Sequence, residues 1–268
     1  MTPKTAAENR LAGYQNSGER PAGERWVTMS NALTRAGHGL TLAEKRIVAA
    51  AISKLDSRKP LRADQLPVTR LTAAEYSETF GVEMDTAYDQ LQAAAKQLYQ
   101  RSITFFEPDY KRDGKKITDK GMTRTMRWVG QVHYQHGEGW VDLYWWQPLL
   151  SHLIGIKKQF TSYQLKQTTA LRSAYSWRLM ELLQRFDREE GGWAEYSLED
   201  FAASMDAPPS IASSFGQIKR RILKPALDEL AKKDGWDIKY TEIKAGRKVK
   251  GLRFEFQRNP QGNLFKND

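Results

Sequence analysis

The residue types best suited to recognising a ligand lie on one predicted helix, from residue 213 to residue 233. At about 100° per residue, its polar side chains gather opposite a broad apolar arc. That polar face holds Ser213, Gln217, Arg220, Arg221 and Lys224. Arginine and glutamine can each form two hydrogen bonds to a base, and lysine suits a phosphate. The face therefore predicts contact with double-stranded DNA, and the alternative is an ordinary solvated surface.

Pro225 lies inside the same predicted helix. Proline has no backbone N–H and its ring crowds the preceding turn, so the sequence predicts a kink after the first two turns. The basic residues lie on the N-terminal side of this proline, which is the end that a recognition helix presents to base edges.

A second basic cluster surrounds the turn at residues 244–247, between the last two predicted strands. Its members are Lys244, Arg247, Lys248, Lys250 and Arg253. Apolar side chains alternate with polar ones along the second strand, which predicts one buried face and one exposed face. We expect Arg247, Lys248 and Lys250 to contact DNA. The alternative is an edge strand that its charges protect from aggregation.

The first half of the chain carries a weaker signal on its predicted helix at residues 85–100. Asp85 is expected to cap this helix. Asp89 is its second acidic residue, and Lys96, near its end, is its only basic residue. This composition favours contact between Lys96 and the phosphate backbone over reading of bases. Residues 109–127 then carry seven basic and three acidic side chains. They could form an arm that faces DNA, a hairpin that forms a dimer, or a solvated loop.

No residue pattern indicates an enzyme, a metal site or a cofactor. His133 and His136 are three apart on a predicted strand, so they point to opposite faces and cannot chelate one metal ion. His38 and His152 are isolated in the sequence. The sequence has no phosphate-binding GxxxxGK[ST] loop, no GxSxG and no HExxH motif. We therefore predict no catalytic residue.

Composition agrees with a polyanionic partner inside the cell. The 268 residues include 42 Lys and Arg against 32 Asp and Glu, giving a net charge of +10, and no Cys. A chain without cysteine has no disulfides, and no signal peptide or membrane-spanning apolar run is visible. We expect a cytoplasmic protein that does not contact a membrane and binds nucleic acid.

The elements that must position these residues occur twice in the same order. Each half reads as a helix, a short strand, a capped short helix, a longer helix and a β-hairpin. The first half has capping boxes at Thr41–Glu44 and Thr72–Glu75, and the second has a cap signal at Ser197. This order is that of a winged helix, in which a hairpin wing follows a helix-turn-helix.

The predicted fold class is therefore α+β, with two tandem winged-helix domains between flexible tails. The tails are predicted at residues 1–28 and 258–268. The first domain, at residues 29–156, is expected to dimerise and to contact the DNA backbone. The second, at residues 157–257, is expected to provide the main sequence-specific DNA binding.

The sequence resembles the iteron-binding replication initiators of theta-replicating plasmids, the Rep family with tandem winged helices. The resemblance covers residues 30–256 and rests on six separated segments whose order and spacing match. These are residues 30–33 (SNAL), 40–47 (LTLAEKRI), 160–165 (FTSYQL), 172–183 (RSAYSWRLMELL), 223–226 (LKPA) and 246–249 (GRKV). Pro225 is similar to the proline that these initiators carry in the same helix.

The resemblance implies that monomers bind direct repeats, the iterons, in a plasmid origin and help to open an adjacent AT-rich region. It also implies host partners, namely the replication initiator, the helicase and chaperones. It further implies a homodimer, joined through the first winged helix, that binds an operator inverted repeat and represses the protein's own gene. Two other hypotheses remain: a dimeric transcriptional regulator without initiator activity, and a nicking enzyme.

Overall fold

The computed structural model describes the chain from Arg20 to Arg258 with six internal gaps. The described ranges are residues 20–60, 68–107, 111–112, 115–116, 122–135, 137–187 and 191–258. Within these ranges, no helix is both long enough and apolar enough to cross a bilayer. Residues 1–19 and 259–268, which belong to the predicted tails, lie outside the described residues.

The first half of the chain, up to residue 156, contains a helix-turn-helix and a three-stranded antiparallel sheet. Its helices are α1 (Asn31–Arg35), α2 (Leu42–Ile52), α3 (Ala73–Phe80) and α4 (Met84–Gln100). Its strands are β1 (Trp26–Ser30), β2 (Val68–Thr72), β3 (Ser102–Glu107), β4 (Lys111–Arg112), β5 (Lys115–Lys116), β6 (Met122–Arg127), β7 (Val129–Tyr134) and β8 (Trp140–Trp145). The sheet has the order β2-β8-β7, so the predicted hairpin is its wing.

The second half repeats this arrangement. Its shorter helices are α5 (Lys166–Thr169), α6 (Ala174–Gln184), α7 (Leu198–Ser204) and α8 (Pro209–Ala212). They are followed by a long helix over residues 215–234, which we call the basic helix. Its strands are β9 (Phe160–Gln164), β10 (Gly192–Ser197), β11 (Trp236–Ala245) and β12 (Lys248–Arg258). The sheet order β10-β12-β11 matches that of the first half, which confirms the predicted pair of winged helices.

The two halves differ by an insertion between the long helix and the wing. In the first half, β3 and β6 pair as an antiparallel ribbon between α4 and β7. In the second half, Gly235 ends the basic helix with a positive φ of 68°, and β11 begins at the next residue. Glycine adopts a left-handed backbone conformation with little steric strain, so this tight turn depends on Gly235.

The predicted helix caps are present, with two differences. Thr41 and Glu44 form the full reciprocal capping box, and Ser197 accepts the N–H of Asp200. Thr72 accepts the N–H of Glu75, but the Glu75 carboxylate turns away to Lys54 and Arg25. A carboxylate held by two cations on other elements cannot also reach back to the helix start.

The expectation that Asp85 caps α4 is wrong. The helix begins one residue earlier, at Met84, and its N-cap is Glu83, whose side chain makes no capping hydrogen bond. Asp85 therefore lies in the first turn of the helix. A carboxylate there still interacts favourably with the positive end of the helix dipole, so the acidic residue keeps a structural role.

The prediction of a flexible tail up to residue 28 is wrong for its last residues. Trp26–Ser30 forms β1, which pairs antiparallel with Phe160–Gln164 of the second half. Val27 is fully buried, and the hydroxyls of Thr28 and Ser162 lie 2.8 Å apart in the interior. The partner strand is more than 130 residues away, so the polar composition around β1 gave no local sign of it.

A buried ion pair joins the two halves. Lys45 of α2 and Glu181 of α6 are 2.7 Å apart, with side chains that are 6% and 3% exposed. The hydroxyl of Tyr163 donates to the other oxygen of Glu181 at 2.8 Å, and the Trp177 indole N–H donates to that hydroxyl at 3.0 Å. Burial lowers the pKa of Lys45, and the negative charge of Glu181 opposes that change. Both oxygens of the Glu181 carboxylate therefore accept a hydrogen bond, which compensates part of the cost of burying the charges.

A second buried cation lies beside this pair. Arg178 of α6 donates to the carbonyls of Ala36 and Ser204 and to Nε2 of His38. Because arginine can only donate, that nitrogen of His38 must be unprotonated. Asp206 accepts the backbone N–H of His38 at 3.0 Å, and its carboxylate lies 4.0 Å from Nδ1. The pKa of His38 is held well below its usual value by burial first, and then by the charges of Arg178 and Lys45.

The low pKa of His38 predicts a loss of stability on the acid side of neutrality. Below pH about 6.5 the unfolded chain binds a proton on this imidazole that the folded chain does not, so the free energy of unfolding falls as the pH falls. The contribution reaches at most about 1.4 kcal/mol per pH unit. We expect His38→Asn to remove it, as measured by urea denaturation between pH 7 and pH 5. His133→Asn, at an exposed histidine, is the control; equal pH slopes for His38→Asn and the wild type would contradict the assignment.

Candidate nucleic-acid interface

The basic helix has three consecutive parts that differ in their backbone hydrogen bonds. Residues Phe215–Ile218 are α-helical, Lys219–Leu223 form a π turn, and Lys224–Asp234 are α-helical again. The N–H of Lys224 donates to the carbonyl of Lys219, five residues back instead of four. The sequence predicted a kink near Pro225, and the structure has a π turn that ends two residues before it.

The buried face of the basic helix attaches it to the second half. Four of its side chains, spaced four residues apart, are fully buried: Ile218, Ile222, Ala226 and Leu230. Leu223 is also fully buried, and Phe215 and Leu227 pack against the same core. The predicted apolar arc is therefore confirmed, and the opposite face of the helix is left to solvent.

The structure places four of the five predicted polar residues on that outer face. Arg220, Arg221 and Lys224 are exposed, and Gln217 is half-buried. The guanidinium of Arg220 donates to the amide oxygen of Gln217 at 3.1 Å, so the two side chains lie side by side. A basic surface of this kind can accept base edges or phosphates.

Ser213 lies outside the basic helix. It is the C-terminal cap of α8, and Ser214 separates it from the first helical residue. The predicted start at residue 213 is therefore two residues too early. Pro209 starts the short helix α8 instead, because proline suits a first helical turn whose N–H groups need no partner.

The wing lies directly after the basic helix in the chain. Ala245 pairs with Lys248, which leaves the two-residue turn Gly246–Arg247 in place of the predicted four-residue turn. Gly246 has a φ of 61°, a conformation that tight hairpin turns require. Arg247, Lys248 and Lys250 are exposed, whereas Leu252, Phe254 and Phe256 are buried on the inner face of β12. The alternation predicted for this strand is confirmed.

Lys219 connects the basic helix to the wing, and sequence reasoning missed it. Its ammonium lies 2.8 Å from the carboxylate of Glu242 on β11 and within 6 Å of the ring centroids of Phe215 and Tyr240. The hydrogen bond between them raises the pKa of Lys219 and lowers that of Glu242. The positive charge of Lys219 is therefore paired with a carboxylate of the protein itself, and it is not one of the exposed cations expected to contact DNA. The partners are 23 residues apart, so no local pattern shows the contact.

The first half presents a different surface at the equivalent position. Asp85 and Asp89 are exposed on α4. Lys96 is also exposed, and its ammonium lies 5.0 Å from the ring centroid of Tyr134 on the wing. Lys96 could reach a phosphate only from the C-terminal part of the helix, so the two winged helices are unequal in charge.

The predicted arm at residues 109–127 is partly described. Its last strand, β6, pairs with β3, and the short strands β4 and β5 pair with each other, so this part of the chain forms a hairpin. The remaining residues of the segment lie outside the described ranges. The three alternatives for its role remain open.

The described histidines have partners within the fold. His38 forms a hydrogen bond with Arg178, and His133 forms one with Gln131. His152 forms a hydrogen bond with Ser30, and its ring stacks on Phe105. His136 lies outside the described residues. Among the residues that the structure describes, no three His, Asp or Glu side chains converge as metal ligands.

Two family models match the chain over most of its length. "Initiator Replication protein, WH1" matches residues 26–184, and "Initiator Rep protein, WH2" matches residues 197–256. The chain belongs to the initiator replication protein family. The boundary that the sequence predicts, between residues 156 and 157, falls inside the first matched range and stays a prediction.

Similar proteins agree with this family membership. An uncharacterised 27.6 kDa protein of Escherichia coli is 25% identical over 235 residues, covering 82% of this chain and 91% of its own. The PI protein of Escherichia coli is 26% identical over 240 residues, covering 81% and 77%. The crystal structure of Pi initiator protein in complex with iteron DNA matches with a TM-score of 0.69 and 23% identity, covering 87% of this chain and 97% of that one. This last likeness supports the fold.

The contact between Lys219 and Glu242 predicts that the basic helix steadies the wing. We expect Lys219→Met to raise amide hydrogen exchange in residues 241–250 by about two- to fivefold, with little change in melting temperature, because exposed ion pairs contribute little to global stability. Lys250→Met removes the same charge from the neighbouring strand and serves as the control. Unchanged exchange in Lys219→Met would mean that the wing is held without this contact.

Proposed function

We propose that this protein initiates plasmid replication by binding direct repeats in its own origin as a monomer. The observation that carries this proposal is the outer face of the basic helix, where Arg220, Arg221 and Lys224 are exposed beside a basic wing tip. The helix-turn-helix topology gives such a face a natural docking mode, with the N-terminal part of the second helix in the major groove. The likeness to a Pi initiator protein solved with iteron DNA supports the same ligand class.

Each basic residue has a distinct role in this proposal. Arg220 and Arg221 read base edges, with Gln217 beside them and Ser213 and Lys224 on phosphates at either end. Arg247, Lys248 and Lys250 at the wing hold the DNA backbone. Contacts of the first kind give sequence preference, and contacts of the second kind give affinity for any duplex.

The first winged helix contributes backbone contacts and spacing. Its helix α4 carries Asp85 and Asp89 at the end that would enter a major groove, so Lys96 is the better candidate for a phosphate contact. The buried pair Lys45–Glu181 ties α2 to α6, and Arg178 of α6 donates to the carbonyl of Ser204 in the range matched by the second winged-helix model. Two modules on one side of B-DNA reach successive major grooves about 10.5 bp apart, so one monomer covers about 20 bp.

The finer parts of the proposal depend on the family resemblance. We infer that a homodimer, formed through the first winged helix, binds an operator inverted repeat and represses the protein's own gene. We also infer that the origin-bound protein recruits the host replication initiator and helicase, with chaperones setting the balance of monomer and dimer. In this scheme the protein contributes binding and no bond-breaking chemistry.

Footprinting on the non-coding region of the protein's own plasmid tests this function. We expect protected blocks of about 20 bp that repeat in one orientation. A single palindromic footprint over the promoter would instead favour a dimeric regulator without initiator activity. Magnesium-dependent cleavage of labelled single strands would reinstate the nicking enzyme.

Substitutions at the two kinds of contact should separate specific from general binding. We expect Arg220→Ala or Arg221→Ala to weaken binding to the repeat by about 1–3 kcal/mol and to relax preference at one base position. Lys248→Ala should weaken repeat and random duplex alike. If the wild type neutralises about six phosphates, the slope of log K against log salt concentration is about −5, and Lys248→Ala should reduce its size by about 1. Equal losses on both duplexes for the arginine variants would refute base reading.

A further inference from the structure

The π turn in the basic helix has an identifiable cause in the sequence. In an uninterrupted α-helix, the nitrogen of Pro225 would face the carbonyl of Arg221 without a proton to donate, and the ring would collide with it. The backbone avoids this contact by adding a residue to the turn, so that the N–H of Lys224 bonds to the carbonyl of Lys219. Single π turns of this kind are rare in proteins, and those that do occur are often found at functional sites.

The buried face of the helix fits the same extra residue. Ile218, Ile222, Ala226 and Leu230 are all fully buried, although they are spaced four residues apart. On an α-helix, each step of four drifts by about 40°, so three steps would rotate Leu230 by about 120° from Ile218. One residue absorbed in a π turn removes about 100° of this drift and keeps the four side chains in line.

This geometry decides where the exposed arginines point. Arg220 and Arg221 lie within the π turn, whereas Lys224 begins the α-helical part that follows it. If the turn closed to α-helix, the residues before it would rotate by about 100° relative to those after it. At the outer radius of a helix, about 5–6 Å, that rotation moves a side chain by about 8 Å. A hydrogen bond to a base edge would be broken by such a displacement, because it needs its donor and acceptor about 3 Å apart.

We propose that Pro225 is a positioning residue for sequence recognition. By blocking the α-helical bond at residue 225, it keeps the π turn and sets the angle at which Arg220 and Arg221 meet the bases. Pro225 is itself exposed and contributes no donor, so it acts through the arginines. This inference rests on the proposed function, because it assumes that these arginines read DNA.

Pro225→Ala tests the inference in the full-length protein. Alanine restores the N–H and removes the ring, so an α-helical turn becomes available. We expect the ratio of affinities for a single-repeat duplex and a scrambled duplex of equal length to fall about fivefold or more, because a misplaced bidentate contact costs at least that much. Affinity for the scrambled duplex and the melting temperature should hold or rise. Pro209→Ala, at an exposed proline in a first helical turn, is the matched control and should leave the ratio unchanged.

A double-mutant cycle shows whether Pro225 acts through an arginine. If it does, Pro225→Ala should cost much less specificity in an Arg220→Ala or Arg221→Ala background than in the wild type. Additive losses in both backgrounds, or an unchanged ratio in Pro225→Ala alone, would overturn the inference while leaving the proposed function intact. A wild-type protein without preference for the repeat would overturn both.

Discussion

Buried charges join α2 to α6, and Arg178 of α6 also reaches the range that the second winged-helix model matches, through the carbonyl of Ser204. Lys45 of the first half and Glu181 of the second form an ion pair that water barely reaches, and Arg178 ties α6 to backbone carbonyls on both sides. Removing one member of such a pair leaves an uncompensated buried charge and typically costs about 3–5 kcal/mol. The junction therefore resists small displacements of α2 relative to α6.

The same topology carries opposite chemistry in the two halves. Both have a helix-turn-helix and a wing with one strand order, but the basic helix exposes Arg220 and Arg221 where α4 exposes Asp85 and Asp89. Charge of this kind is set by surface residues that the fold leaves free to vary. A duplicated fold thus need not carry the same surface chemistry in both copies, and of the two long helices only the basic helix exposes arginines.

Local signals in the sequence were reliable where a short segment contains the whole interaction. The capping box at Thr41, the apolar arc of the basic helix and the alternation along β12 all involve neighbours within a few residues, and all were predicted correctly. Three features were missed or misjudged: the pairing of β1 with β9, the turning of Glu75 toward Lys54, and the contact of Lys219 with Glu242. In each of them the decisive partner lies on another element.

By itself, the sequence determined the fold class, the basic helix and wing, and the proline within that helix, because periodicity, charge and backbone chemistry act locally. The π turn itself was not predicted, because a broad apolar arc on an ordinary α-helix also buries side chains spaced four residues apart. Only the tertiary structure decided which cations face solvent and which are committed to partners. Whether a cation is paired depends on which acidic side chains the fold brings near it. Those side chains lie on elements far apart in the chain, and neither composition nor local sequence pattern shows that they are close.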